Sequence, residues 1–417
     1  MDFAHRYSDG QERFRKEVSR WLDANLPIGL SAYETSQGEY TANWEQVEAF
    51  RLLLGEKGWL VTMDWAEGEG GDLTPANNVV LLEELNKRGV GWLLEKASAS
   101  LWQAVKGWGT EAQKKRFLPA LVNGHLTLWY PFMEPGTELD LSNLKVHAFR
   151  DGDDYILNGE ELFAGQGLRP DYLWTIALAG PDAPSEEATA TFLVPAGLEG
   201  IRIQTPKLLL PGTLHKVTFD QVRVPPYSLL GSEGEGWHLI RATLLREEVI
   251  TEHPNLQEMD VAALWQYARD TTRNGTPLIK KPVLQQILVE AYINSCIARL
   301  FRMRDAWMRA TGRPLTYHDY QTALQEERAD MRFSEVVRDV VGIYSLLDQH
   351  DSRVPTQGRF DFQQKRSLAW QNQSGTFDVY ANEIARQLGL GRSKNRRQTD
   401  SSPRGVASSP VGRDERP

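Results

Sequence analysis

Arg150-Asp151-Gly152-Asp153-Asp154-Tyr155-Ile156-Leu157-Asn158-Gly159 is the stretch from which the fold is read. Asp151-Gly152-Asp153 is turn chemistry, with β-prone Leu144–Phe149 before it and Tyr155–Leu157 after it. Strand, tight turn and strand make a hairpin. A short β-prone run precedes it at Leu126–Tyr130, and others follow at Tyr172–Ala179, Ala190–Val194, Ile201–Ile203 and Lys216–Phe219. Gly and Pro clusters punctuate them. The spacing predicts an antiparallel β-domain of about 100 residues, a small barrel or sandwich, spanning residues 126–232.

On both sides the hydrophobic period changes to that of a helix. Within residues 1–125, Gln11–Leu26 carries Phe14, Val18, Trp21 and Leu22 on one face and ends at Pro27. A second stretch runs from Trp44 through Val47, Phe50 and Leu54 to Gly55. A third, Val79–Lys87, carries Val80, Leu81, Leu82 and Leu85, with Gly89 as its stop. The Gly-rich Trp65–Gly71 reads as a turn, because a phosphate loop needs a strand before it and a Lys-Ser/Thr after it. Residues 233–391 are again helical, and Val283–Thr311 and Tyr317–Gln349 have the spacing of packed bundle helices. Trp265, Leu288, Tyr292, Ile297, Leu300 and Trp307 are expected in their core. Residues 392–417 are rich in Ser, Pro, Gly and Arg and are expected to form a disordered tail. The architecture is therefore an α+β multidomain one: helical, β, helical.

Composition narrows the class. The 417 residues are 41% hydrophobic and 25% charged, as in a soluble globular protein. No apolar run approaches the roughly 20 residues of a membrane span. The amino terminus lacks the basic-then-apolar order of a secretory signal. One cysteine, Cys296, excludes an internal disulfide and a multi-cysteine metal site, so no metal is expected and a cytoplasmic location fits. A net charge of −9 argues against nucleic acid as the main partner. An anionic small ligand remains compatible, since a few backbone N–H groups can hold one.

Motifs at the joints of these regions narrow it further. Gly107-Trp108-Gly109-Thr110-Glu111-Ala112-Gln113-Lys114-Lys115-Arg116-Phe117-Leu118-Pro119 resembles the "GTEEQKRRFLP" stretch of acyl-CoA dehydrogenases. Glu134-Pro135-Gly136-Thr137-Glu138-Leu139-Asp140 is similar to that family's "EPGAGSD", and the opening hairpin to its "RDGDEYVLNG". Phe219-Asp220-Gln221-Val222-Arg223-Val224-Pro225 with Leu230-Gly231 resembles "FDDVRVP…LLG". Ser374-Gly375-Thr376-Phe377-Asp378-Val379, Asn382–Arg386 and Gly389–Arg392 echo "GGTSEI", "NIIAR" and "LGLPR". The matches keep the family's order over residues 1–393. The resemblance implies an N-terminal helical domain, a central antiparallel β-barrel or sandwich, and a C-terminal helical bundle.

It also implies α,β-desaturation of an acyl-CoA thioester in fatty acid metabolism. A carboxylate takes the α-proton while the β-hydride passes to FAD, and an electron-transferring flavoprotein is a candidate acceptor. Most members place the base just before the Gly-Thr of the C-terminal motif, but here that residue is Ser374, which with Gly375 is left to the substrate side. A subgroup places it early in the C-terminal domain. Eleven residues after Gly236, that position is Glu247, the candidate base; Glu248 follows it where the subgroup has Arg.

The flavin positions depart from the family. Met133 replaces a hydroxyl residue that bonds the flavin ring, and Leu139 one directed at the pyrophosphate. The "W-(I)-T" of the strand beside the flavin becomes Phe163-Ala164-Gly165. Thr376 and Asp378 keep polar groups where the family meets FAD. Three lost contacts at roughly 1 kcal/mol each weaken FAD about a hundredfold. Weak or absent FAD is therefore expected. The alternative to a self-sufficient homo-oligomeric flavoenzyme is a non-catalytic or half-site subunit paired with a second acyl-CoA dehydrogenase-like chain. A flavin-free acyl-CoA-binding protein on the same fold is a further possibility. The aromatic run Trp129–Phe132 implies an altered ligand surface.

Overall fold

Ser8 opens the first helix: its hydroxyl accepts from the Gln11 backbone, and Gln11 reaches back to the Ser8 N–H. This reciprocal cap satisfies two otherwise orphaned donors. The resulting helix, α1 (Asp9–Asn25), buries Val18 and Leu22. In the computed structural model the described residues are 6–28, 30, 44–61, 73–94, 96–132, 144–165, 170–179, 186–206, 214–243, 258–347, 351–370 and 377–390. Helices α2 (Trp44–Glu56), α3 (Pro75–Lys87), α4 (Lys96–Trp108) and α5 (Glu111–Val122) follow. Phe50, Leu54, Leu81 and Leu85 are fully enclosed in the core that they share with α1. Gly89 stops α3 at φ +73°, a conformation that favours glycine. The Gly-rich Trp65–Gly71 and the tail 392–417 lie outside the described residues.

The hairpin of the opening stretch forms as read: β2 (His147–Asp151) pairs antiparallel with β3 (Asp154–Ala164), Asp151 opposite Asp154, with Gly152 at φ +64° in the two-residue turn. The other strands are β1 (Leu128–Pro131), β4 (Tyr172–Leu178), β5 (Thr189–Pro195), β6 (Ile201–Gln204), β7 (Leu214–Val224) and β8 (Leu229–Leu230). The pairings β1–β3, β3–β2, β2–β4 and β4–β1 form a closed circuit, which is the topology of a barrel. One feature differs from the all-antiparallel expectation: β4 runs parallel to β1 and to the end of β2. Every residue of β4 is buried, because Leu173 and Ala177 face the barrel core while Tyr172, Trp174 and Ile176 face the N-terminal helices. A strand covered on both sides reads as a continuous apolar run.

Helices resume at α6 (Gly236–Ala242) and α7 (Glu258–Asp270). After the two-residue strands β9 (Thr272–Arg273) and β10 (Thr276–Pro277) come the long pair α8 (Pro282–Ala310) and α9 (His318–Val341), then α10 (Arg359–Trp370) and α11 (Phe377–Gln387). Phe333, Val336, Val337, Val340 and Phe360 form the bundle core with Leu288. The core expected at Trp265 on α7 and along α8 is only partly realised. Leu288 is buried and Trp265, Ile297 and Trp307 are half-buried, but Tyr292 and Leu300 are 41% and 37% exposed.

Polar side chains fasten the three regions together. Gln113, from the first family-like motif, caps α5 through Thr110 and donates from Nε2 to the carbonyls of Tyr227 (2.9 Å) and Leu229 (2.8 Å). That amide locks the last N-terminal helix to the β-domain edge. Glu83 on α3 accepts from Tyr7 Oη (2.7 Å), Arg15 Nη2 (2.8 Å) and Arg299 Nε (2.8 Å). Arg299 lies on α8, so this carboxylate ties the N-terminal helices to the C-terminal bundle.

Candidate active site

Helix α6 starts hard against the barrel. A β-carbon on Gly236 would come within 2.8 Å of the Ala190 backbone, so only glycine lets the helix approach β5 this closely. The contact is pinned by Trp237 N–H donating to Thr189 Oγ1 (2.8 Å) and Thr191 Oγ1 donating to the Gly236 carbonyl (3.2 Å). This junction leads into the segment that carries Glu247. Glu247 itself lies outside the described residues, as do Met133, Leu139, Ser374, Gly375 and Thr376. Of the expected site residues, Phe163, Gly165 and Asp378 are described. Asp378 is exposed in the first turn of α11.

Phe163 and Gly165 share one face of β3, and that face points into the barrel. Phe163 is fully buried against Phe219, with ring centroids 6.3 Å apart. At Gly165 the space of a side chain is already taken: an ideal β-carbon would lie 1.9 Å from Cδ1 of Trp129. The indole stacks on His215 at a centroid distance of 3.8 Å and an interplanar angle of 7°. Trp129 is only 4% exposed, so the aromatic run does not present this ring as a ligand surface, as the sequence suggested, but packs it inward. Its signal was the aromatic run itself; His215 carried none.

An FAD ring beside β3 would meet this closed packing. Phe163 is committed to the core, and Gly165 offers neither a hydroxyl nor an open cradle. The described end of β3 therefore does not fit the flavin contacts that the family resemblance implies there. Among the described residues no cluster of three metal-ligating side chains occurs either.

One interior group is out of balance with its surroundings. Glu161 lies two residues before Phe163 on the same face, and its Oε2 is enclosed without a hydrogen-bond partner among the described residues. Burial pushes its carboxyl well above the ordinary 4.5. A raised carboxyl pKa contributes stability that is fully present below pH 4.5 and is lost as pH rises through the folded value. Glu161→Gln is thus expected to stabilise the fold at pH 8 and to have far less effect in acid, measured by urea unfolding at both pH values. An unchanged midpoint at pH 8 would mean that the carboxylate has found a partner.

Comparison with known proteins places these features in a family. The acyl-CoA dehydrogenase N-terminal domain matches residues 8–125, and the acyl-CoA dehydrogenase C-terminal domain matches residues 234–388. Acyl-CoA dehydrogenase FadE26 of Mycobacterium tuberculosis is 28% identical over 303 residues, covering 70% of this chain and 74% of that protein. FadE29 of the same organism is 35% identical over 243 residues, covering 58% of this chain and 61% of its own length. The Tcur3481-Tcur3483 steroid ACAD has a similar structure at a TM-score of 0.78 and 21% identity, covering 94% of this chain and 100% of that one. The ChsE4-ChsE5 complex from M. tuberculosis gives 0.76 at 22% identity, covering 93% and 99%. At those identities the structural likenesses show the fold.

Proposed function

Because the chain belongs to the acyl-CoA dehydrogenase family of flavin-dependent oxidoreductases, we propose that it is one subunit of a heteromeric acyl-CoA dehydrogenase that desaturates an acyl-CoA thioester. The observation that carries the heteromeric form is the indole of Trp129 filling the side-chain space of Gly165. A chain whose own β3 leaves no room for a flavin ring works with a homologous chain that holds one. The Tcur3481-Tcur3483 steroid ACAD and the ChsE4-ChsE5 complex, which share this fold, are each named for two chains, which supports the same reading. Glu247 is the base that this chain brings, on the strength of its spacing from Gly236. A bulky acyl group such as a steroid side chain is the substrate class proposed by analogy with the steroid ACAD. The test is co-expression with homologous acyl-CoA dehydrogenase chains, followed by stopped-flow bleaching of the flavin with a panel of acyl-CoA thioesters. A complex that carries flavin but is bleached by none of them would rule out the desaturation reading.

The surface of α8 supplies an interface. Val289 (50% exposed), Ile293 (50%) and Leu300 (37%) stand with the half-buried Cys296 at steps of four, three and four residues. That is the spacing of a helix–helix seam, and no described residue of this chain covers it. Arg332, paired with Glu290 and Glu335, gives the seam a charged edge. We assign the stripe to the partner subunit, which explains why Tyr292 and Leu300 look like core in the sequence yet stand exposed in the single chain. Ile293→Lys is expected to dissociate the assembly with little loss of monomer stability, read by sedimentation velocity. An intact oligomer would place the interface elsewhere.

A further inference from the structure

Trp129 and His215 are each 4% exposed, and their parallel stack is fixed from several sides. His215 Nδ1 lies 3.0 Å from Thr205 Oγ1, and Nε2 lies 3.3 Å from the Gly165 carbonyl. A carbonyl only accepts, so Nε2–H donates to it, and in the neutral ring Nδ1 accepts from the Thr205 hydroxyl. The imidazole is thereby held in one plane, and the indole lies flat against it. The indole also lies against Gly165: a β-carbon there would stand 1.9 Å from Cδ1 and 2.4 Å from both Cγ and Nε1. These are rigid ring atoms next to the backbone rather than the end of a flexible side chain, so residue 165 and residue 129 are sterically coupled.

We infer that Trp129 is a built-in occupant of a planar slot at the end of β3, bounded by Gly165 and the His215 ring, and that it keeps flavin and other flat aromatic ligands off this chain. The inference rests on the heteromeric reading only for the identity of the excluded ligand. Two local features produce the plug. Glycine at 165 removes the side chain that would push the indole away, and His215 offers it a face to stack on. A cavity vacated by a large ring in such surroundings accepts a ring in return, because its apolar walls have lost their contacts.

Riboflavin is the probe, since it carries the flavin ring without the pyrophosphate and adenine, so the replacement at Leu139 does not bear on its binding. The wild-type protein is expected to give no saturable quenching of riboflavin fluorescence. Trp129→Gly, folded by circular dichroism, is expected to bind riboflavin at least about tenfold more tightly than the wild type, with indole competing for the same space. Independently, Gly165→Ala is expected to lower the melting temperature of the wild type and to lose most of that effect in the Trp129→Gly background. The proposal is overturned if the wild type binds riboflavin as tightly as the variant, if the folded variant binds neither ring, or if Gly165→Ala is harmless beside the intact indole. Should Trp129→Gly not fold, the wild-type titration and Gly165→Ala decide the matter alone. Failure here, with flavin still present in the co-expressed complex, would remove the plug and the structural argument drawn from it, and would leave the heteromeric enzyme resting on the two-chain relatives and the complex itself.

Discussion

Glu247→Gln is expected to slow flavin reduction by acyl-CoA in the assembled enzyme by about 10²–10⁴-fold, the usual worth of a positioned general base. The amide keeps the size and polarity of the side chain and cannot accept the α-proton, so the loss falls on the chemical step and not on thioester binding. Ser374→Ala is the first control: a neutral hydroxyl is no base at neutral pH, and its loss should cost far less. Glu248 is the second, a carboxylate next in sequence to the proposed base. Full activity in the Glu247→Gln variant would eliminate Glu247. Activity lost in a Glu248 variant alone would shift the assignment by one residue.

The largest expected effect on stability is at Glu83. Burial alone would raise this carboxyl, but Arg299, the Tyr7 hydroxyl and Arg15 outweigh it and hold it below the ordinary value of 4.5. Glu83→Leu leaves two guanidinium groups and a half-buried phenol facing one another across the joint between α1, α3 and α8. The cost is about 2–3 kcal/mol, below that for breaking a fully buried pair, because Arg15 and Arg299 keep 21% and 32% exposure. A depressed carboxyl pKa contributes stability that is present above pH 4.5 and is lost as pH falls through the folded value. The deficit of the Leu variant should therefore be full at pH 7 and shrink in acid, which urea titrations at the two pH values would show. A deficit that is the same at both would assign it to packing and not to charge. This pH dependence has the opposite sign to that of Glu161, so the two carboxylates are separable in one set of titrations.

Much of the fold could be read from period alone. Val18 and Leu22, Phe50 and Leu54, and Leu81 and Leu85 recur at helical steps and are enclosed together. Asp151-Gly152-Asp153 set the hairpin register, because a two-residue turn with a left-handed glycine admits few alternatives. The parallel pairing of β4 with β1 was not legible, since it joins segments more than forty residues apart with nothing local to announce it. Nor does periodicity say what covers an apolar face: Leu288 and Tyr292 lie one turn apart on α8, and one is core while the other stands at the surface. At the site, Gly165 could be recognised as a departure, but its consequence could not. The indole that fills its space comes from thirty-six residues earlier, and the imidazole that steadies the indole from fifty residues later. Gln113 shows the reverse: the motif marked it, and its work is to join two domains.

The most direct test of the whole account is the flavin content per chain, measured by visible absorbance after extensive dialysis, for this protein purified alone and in complex with a homologous acyl-CoA dehydrogenase chain. The lone protein is expected to hold far less than one FAD per chain, and the complex to carry flavin bleached by an acyl-CoA thioester. One tightly held FAD on every chain of the protein purified alone would contradict it.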